Sequence, residues 1–287
     1  MDKLIQKLET KGKHAIQTKY DQLDFFVADT LDVSPKSDRH SMEHPFFSLS
    51  KKKYTQVRVY KNNDTTVTIT PSVIGLATIW DKDILLYCAS QIMDALNRGL
   101  EVSRTVQAYS YSILTCSSRG TGGNSYDQLI AALGRLEGTR IKTDIKTAKM
   151  RETEGFGLID SWRVVEKQSG TDRAVKIEIT LSKWYFRALV SREVLTFNRE
   201  YFKLTSGLDR RLYELARKHC GHQKNIWQIS LEKLHIKSGS TGLLKGFRNQ
   251  IKKISEKNTL PDYAIQYDRV TDKVYFTQHF LTLKTPA

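Results

Sequence analysis

Four side chains late in the sequence, Lys245, Arg248, Asn249 and Lys252, are of the types that grip nucleic acid and are spaced to share one side of a helix. Arginine forks onto the O6 and N7 acceptors of guanine, asparagine matches adenine, and lysine neutralises phosphate. The apolar residues of the same stretch, Leu243, Leu244, Phe247, Ile251 and Ile254, fall within about 100° of arc on the other side. Between Asp209 and Glu256 only Glu214 and Glu232 are acidic, whereas a merely solvated helix normally mixes both signs of charge. Arg248 and Asn249 are therefore the candidates for base contact, with Lys245, Lys252 and Lys253 on phosphate. Arg248→Ala is expected to relax one base position, and Lys252→Ala to weaken all sequences alike.

A second set lies between residues 119 and 151. The turn Ser118-Arg-Gly-Thr-Gly-Gly123 precedes a helix that runs to about Glu137. Tyr126, Leu129, Ile130, Leu133 and Leu136 share one face of it, and Asn124, Gln128, Ala131 and Arg135 the opposite one. Asn124, Gln128 and Arg135 are candidates for base edges, with Arg119 and Lys149 or Arg151 on phosphate. Small Ala131 lets the backbone approach a groove. Plain solvent exposure is the competing reading for Gln128 and Arg135. The glycine-rich turn lacks the lysine that reaches a nucleotide phosphate, which argues against an ATP-driven motor. Its backbone N–H groups either meet a DNA phosphate or form a turn that needs positive φ.

The elements that must position these residues can be read from the pattern. Residues 1–45 form an N-terminal arm or linker, closing in the polar stretch Asp32-Val-Ser-Pro-Lys-Ser-Asp-Arg39. A hairpin is expected around the Lys61-Asn-Asn-Asp64 turn, and a helix from Asp81 to Asn97 capped by Gly99. A short helix over Ser110–Ser117, the turn and the longer helix follow. Ile141, Thr143 and Ile145 then alternate toward the cationic tip Lys149-Met-Arg-Glu-Thr-Glu154 and return through Phe156–Trp162, the shape of a wing. The last third repeats the order: a helix over Leu208–Cys220, a strand over Trp227–Ile229, a helix over Leu231–Ile236, a turn, the basic helix, and a hairpin turning at Arg269–Lys273. The expected fold is α+β, with tandem winged helix-turn-helix domains over residues 46–190 and 191–287 and an N-terminal extension.

Charge follows this division. Of the net +15, residues 46–190 contribute +7 and residues 191–287 contribute +9, while residues 1–45 carry −1. The positive field thus belongs to the folded body, not to a tail. Cys88, Cys116 and Cys220 are odd in number and far apart, so buried thiols in a reducing compartment are expected rather than disulfides. No apolar run reaches the roughly 18 to 20 residues of a membrane span, and the start lacks the apolar core of a signal peptide. A soluble intracellular protein follows.

Other chemistry is poorly represented. His219-Cys-Gly-His222 is a tight group of potential metal ligands without a second pair at zinc-like spacing, so no metal or other cofactor is expected. The thirteen tyrosines could supply a nicking nucleophile, but the seven histidines are scattered with no His-x-His pair to hold its metal. Gln22-Leu-Asp-Phe-Phe26 is similar to the Gln-Leu-x-Leu-Phe peptides that dock on the bacterial sliding clamp. Phe25 stands where that pattern has leucine; the competing role for Leu23, Phe25 and Phe26 is to cover the core of the first domain.

Six strings carry a resemblance to a known family: Ser41-Met-Glu-His-Pro-Phe-Phe-Ser-Leu49, Ala77-Thr-Ile-Trp-Asp-Lys-Asp83, Ala95-Leu-Asn-Arg-Gly99, Glu154-Gly-Phe-Gly-Leu-Ile-Asp-Ser-Trp-Arg163, Arg211-Leu-Tyr-Glu-Leu-Ala-Arg-Lys-His219 and His235-Ile-Lys-Ser-Gly-Ser240. Over residues 24–269 the chain resembles the plasmid replication initiator protein A family, the RepA-type initiators. The resemblance implies a protein of the bacterial cytoplasm that binds repeated sites (iterons) in duplex plasmid origin DNA, and through them bears on copy control. It also implies recruitment of host replication proteins, with the host initiator, the replicative helicase and the sliding clamp as candidates. Members are similar to repressors of their own promoters, often as homodimers. The expected function is a non-enzymatic origin-binding initiator. The alternatives are a transcription repressor without replication activity and an origin-nicking endonuclease.

Overall fold

Residues 82–97 show how local chemistry fixes the first long element. Leu, Ile, Ala and Met dominate, and the helix stops where Gly99 takes φ +73°, a left-handed turn open to glycine at no steric cost. Gly99 N–H donates to the Leu96 carbonyl at 3.2 Å and Leu100 N–H to the Ala95 carbonyl at 2.9 Å, which satisfies the last orphan carbonyls. The computed structural model describes residues 26–28, 33–62, 65–146, 151–165, 175–220 and 226–279.

In chain order these form β1 (Phe26–Val27), β2 (Lys36–Asp38), α1 (Arg39–Glu43), β3 (Arg58–Asn62), β4 (Thr65–Thr70), α2 (Lys82–Asn97), β5 (Thr105–Tyr109), α3 (Ser110–Cys116) and α4 (Gly123–Gly138). There follow β6 (Arg140–Lys146), β7 (Arg151–Gly157), β8 (Ile159–Val165), β9 (Lys176–Leu181), α5 (Lys183–Val190), β10 (Val194–Thr196) and a 3₁₀ turn at Arg199–Lys203. The last third holds α6 (Gly207–Cys220), β11 (Trp227–Ser230), α7 (Leu231–Ser238), α8 (Leu244–Lys257), β12 (Tyr263–Asp268) and β13 (Lys273–Gln278). The architecture is mixed helix and sheet, and among the described residues no helix is long and apolar enough to cross a membrane.

Strand order corrects one expectation. The hairpin of β6 and β7, expected to be the wing, instead extends the N-terminal hairpin in a sheet ordered β3-β4-β6-β7, with Ile141 opposite Ile69 and Phe156. The hairpin that pairs with β5 is the next one: β9 lies between β5 and β8, with Val106 opposite Ile179. In the last third the same pattern recurs, with β13 between β11 and β12. Both halves therefore run helix, strand, helix, helix, hairpin, with the first strand paired to the second strand of the hairpin. In the first half the β6–β7 pair is inserted before that hairpin.

The stretch expected to be arm or linker is built into the fold from Val33 onward. β2 pairs antiparallel with β10, Ser37, Asp38, Ser41 and Met42 are buried, and the Asp38 carboxylate caps α1 by accepting from Ser41 N–H at 2.7 Å. Phe26 and Val27 add a short parallel strand to β5.

Two hydrophobic cores result. One gathers α2, α4 and the two four-stranded sheets, and the other gathers α6, α7, α8 and the three-stranded sheet, together with Met42 from α1 and Leu86 from α2. Buried charges join them. Lys82 Nζ donates to Glu214 Oε1 at 2.8 Å, and Arg210 Nη1 to Asp83 Oδ1 at 2.7 Å. Arg211 spends its guanidinium on the carbonyls of Ser41, Met42, Glu43 and Lys237 and on Glu214. Pairs this dry hold geometry, because a cation left without its carboxylate there, Lys82 above all, would be a stranded charge.

Candidate nucleic-acid interface

In the last third, Ser230 caps α7 by accepting from Lys233 N–H, and Gly239 ends it at φ +75°. A side chain at Gly239 would place its Cβ 2.5 Å from Pro45, so the turn sits tight against the segment before β3. α8 then starts at Leu244 and buries Phe247 and Ile251. Leu243, expected on the apolar face, is the cap residue ahead of the helix and is 85% exposed. Lys245, Asn249 and Lys253 are exposed, and Arg248 and Lys252 half-buried.

Arg248, Asn249 and Lys252 line a depression of about 420 Å³ with Tyr267, Arg269 and Asp272 of the β12–β13 hairpin. Arg248 is held there: Nη2 donates to Asp272 Oδ2 at 2.9 Å and Nε to Oδ1 at 3.2 Å, while the Tyr267 hydroxyl donates to the same carboxylate at 2.6 Å. The Arg248 hydrogen bond is the main reason that the Asp272 carboxyl sits below its ordinary range. The face is thus less cationic than its sequence: Arg248 arrives already paired, whereas Lys245 and Asn249 stand open. Lys253 lines a different cleft, with Lys257.

In the first half, Asn124 and Gln128 are exposed on α4, with Gln128 Nε2 donating to Asn124 Oδ1 at 3.4 Å, and Ala131 is exposed beyond them. Ala132 joins Leu129, Leu133 and Leu136 on the buried face, while Tyr126 and Ile130 are half-buried. Arg135 does not stand in solvent. Its Nε and Nη2 donate to the two oxygens of Asp81 at 2.7 and 2.8 Å, an arrangement that fixes the amino end of α2 against α4. Arg119 is likewise engaged, donating to the Trp80 carbonyl and to Asp83. Lys149 lies outside the described residues, and Arg151 is described only as backbone in β7.

The glycine-rich turn has a simple geometry. The positive φ falls on Ser118 (54°), not on Gly120, Gly122 or Gly123, and an added Cβ at Gly122 or Gly123 would meet nothing within 4 Å. Turn strain therefore does not explain these glycines; they leave the amino end of α4 bare.

Sequence reasoning passed over Lys51-Lys52-Lys53. These exposed lysines line a cleft of about 530 Å³ with Trp80, Arg119 and Gln128, and Lys51 Nζ lies 5.0 Å from the Trp80 ring. Three consecutive cations in a polar segment were the available signal.

The remaining candidates separate. His219 stacks on Trp227 at 4.4 Å and lies 3.5 Å from Glu43, and His222 lies outside the described residues. Among the described residues no group of three or more histidine, cysteine or carboxylate side chains could hold a metal ion. Burial pushes the Cys88 thiol up to about 12 and the Cys220 thiol up to about 11, and Cys116 is half-buried. Gln22, Leu23 and Phe25 lie outside the described residues, and Phe26 is described as backbone alone.

Comparison with known proteins gives one family and one fold. The family model of replication initiator protein A matches residues 36–265. A protein of Wigglesworthia glossinidia brevipalpis described as a replication protein is 40% identical over 260 residues, 90% of this chain and 94% of that protein. Two crystal structures of domains 2 and 3 of RctB, one a selenomethionine derivative, share the fold at TM-scores of 0.61 and 0.54 and 13% identity. Each covers 83% of this chain, and 97% and 98% of the RctB chain respectively is matched.

Proposed function

The chain belongs to the replication initiator protein A family, and from that premise we propose that it binds duplex plasmid origin DNA sequence-specifically through two winged-helix units, without a catalytic step of its own. The observation that carries this reading is the recurrence, in both halves, of one element order and one strand pairing, with β5-β9-β8 and β11-β13-β12 as counterparts. In such a unit the helix ahead of the hairpin enters the major groove, about 12 Å wide, and the hairpin flanks it on the backbone. α4 and α8 are those helices here, and β8–β9 and β12–β13 the wings.

On α8, Asn249 reads a base edge while Lys245 and Lys252 take phosphates; Arg248 reaches a base only by leaving Asp272. On α4, Asn124 and Gln128 do the reading, the bare amino end meets a phosphate, and Lys51–Lys53 add positive charge beside Arg119. Arg135 serves the fold of the unit through Asp81 rather than the DNA. Bound to repeated origin sites in the bacterial cytoplasm, the protein would then bring in host replication proteins.

Selection of bound sequences from a random duplex library, with the enriched duplex incubated in magnesium and run on a denaturing gel, tests this. A long bipartite motif left unnicked is the expected result. A nicked strand or covalent adduct would replace it with an endonuclease, and no enriched motif would remove sequence-specific binding.

A further inference from the structure

Three arginines are buried among the described residues, and one differs from the others. Arg210 and Arg211 spend their donors on carbonyls and carboxylates. Arg58, 7% exposed, is hydrogen-bonded to the Tyr60 side chain but leaves Nε and Nη1, both shut off from solvent, without a hydrogen-bond partner. Its guanidinium stacks at 3.9 Å on the Tyr54 ring, but stacking covers the face of the group, and the unmet N–H donors lie in its plane. A buried cation with unmet donors is costly to keep, so its anion is the natural question.

Arg58 lines a cleft of about 530 Å³ where the two halves of the molecule meet. The opposite walls are the amino end of α6 at Gly207 and the turn Gly239–Gly242 ahead of α8, with Ser240 and Thr241 on it. The walls are close by construction: a Cβ at Gly207 would lie 2.2 Å from the Leu49 carbonyl oxygen. Lys253 and Lys257 also line the cleft, against a single acid, Asp209. A planar guanidinium, two ammonium groups, hydroxyls and the positive end of a 14-residue helix form a receptor for a tetrahedral oxyanion.

We propose that this cleft is a phosphate site whose principal ligand is Arg58, its guanidinium turning off the Tyr54 ring to bring the shut-off Nε and Nη1 donors to the anion. Two sources supply that chemistry: a backbone phosphate of DNA seated beside the amino end of α8, or a free phosphate or phosphomonoester. The site does not depend on the major-groove reading, because it can be filled without DNA.

The test uses the full chain and Arg58→Met, which keeps the bulk and removes the unpaired charge. In chloride, Arg58→Met is expected to melt at or above the wild-type temperature, since an apolar isostere commonly matches or improves on a buried charge. In one arm, inorganic phosphate replaces chloride at fixed ionic strength; a free-phosphate site raises the wild-type melting temperature by roughly 3 °C per tenfold phosphate above its Kd, and Arg58→Met abolishes the rise. In the other arm, binding to a selected duplex is measured against salt; a DNA-phosphate site shows as a log–log slope shallower by about 0.9 in Arg58→Met, with little response to inorganic phosphate. Should Arg58→Met fail to fold, Lys253→Ser on the rim carries both arms, with the same responses weakened. A wild type unmoved by phosphate, together with an unchanged DNA salt slope in the variant, would overturn the proposal. Loss of sequence selectivity with the phosphate response intact would count against the DNA reading and leave this site standing.

Discussion

Glu214 should matter far more to stability than Lys82, although the two form one ion pair. Both side chains are dry, 1% and 0% exposed, at 2.8 Å. Their other partners are unequal. Glu214 also accepts from Arg211 Nη1 at 3.1 Å and from the Tyr201 hydroxyl at 2.9 Å, whereas among the described residues Lys82 Nζ has otherwise the rings of Phe47 and Phe197, 5.6 and 5.8 Å away. Lys82→Met leaves a carboxylate that still holds one arginine and one phenol, and should cost about 1 kcal/mol or nothing. Glu214→Gln creates no cavity but strands two buried cations, which should cost about 3–5 kcal/mol and lower the melting temperature by roughly 10 °C. Adding Lys82→Met to Glu214→Gln should then recover about 2 kcal/mol, since the worst-placed cation has gone. Urea unfolding followed by far-UV circular dichroism and by tryptophan fluorescence measures all three. A Lys82→Met cost equal to or above that of Glu214→Gln, or a double variant equal to the sum of the singles, would refute the reasoning.

At the interface, Asp272→Ala should free Arg248 for a base and raise the preference for the selected duplex over a scrambled one by roughly tenfold, within the about 1–3 kcal/mol of one bidentate base contact; an unchanged ratio would mean that Arg248 never reaches a base. The two kinds of glycine should part company. Gly207→Ala drives a Cβ to 2.2 Å from the Leu49 carbonyl and should cost about 3 kcal/mol or more in thermal melts, whereas Gly122→Ala meets open space and should leave stability unchanged while weakening DNA binding, and full affinity in Gly122→Ala would remove the α4 amino end from the interface. Burial lowers His44 from 6.5 to about 4, so between those values the unfolded chain binds the extra proton: stability is complete above about pH 6.5 and falls by about 3 kcal/mol as the pH drops to 4. His44→Gln should flatten that part of a pH series of urea melts, and an unaltered profile would assign the acid sensitivity elsewhere.

Local patterns in the chain were enough for its long helices and the last hairpin, but not for α1, α5, β2 or β10. Apolar spacing in α8 and α4, the glycine stop after α2 and alternation along β12 and β13 are each written within a few residues, because helix and strand periods are local properties. The six family strings and the placement of positive charge in the folded body are equally a matter of sequence. Partner choice is not. β6–β7 and β8–β9 both read as a hairpin after a helix, and only the pairing of β5 with β9, more than 60 residues apart, selects the second. Arg119, Arg135 and Arg248 read as free cations until the fold delivers Asp83, Asp81 and Asp272 to them, while Arg58, an unremarkable strand residue, becomes the buried one with donors to spare. A charge acquires its meaning from whatever lies within a few ångströms in space, and distances along the chain do not encode that.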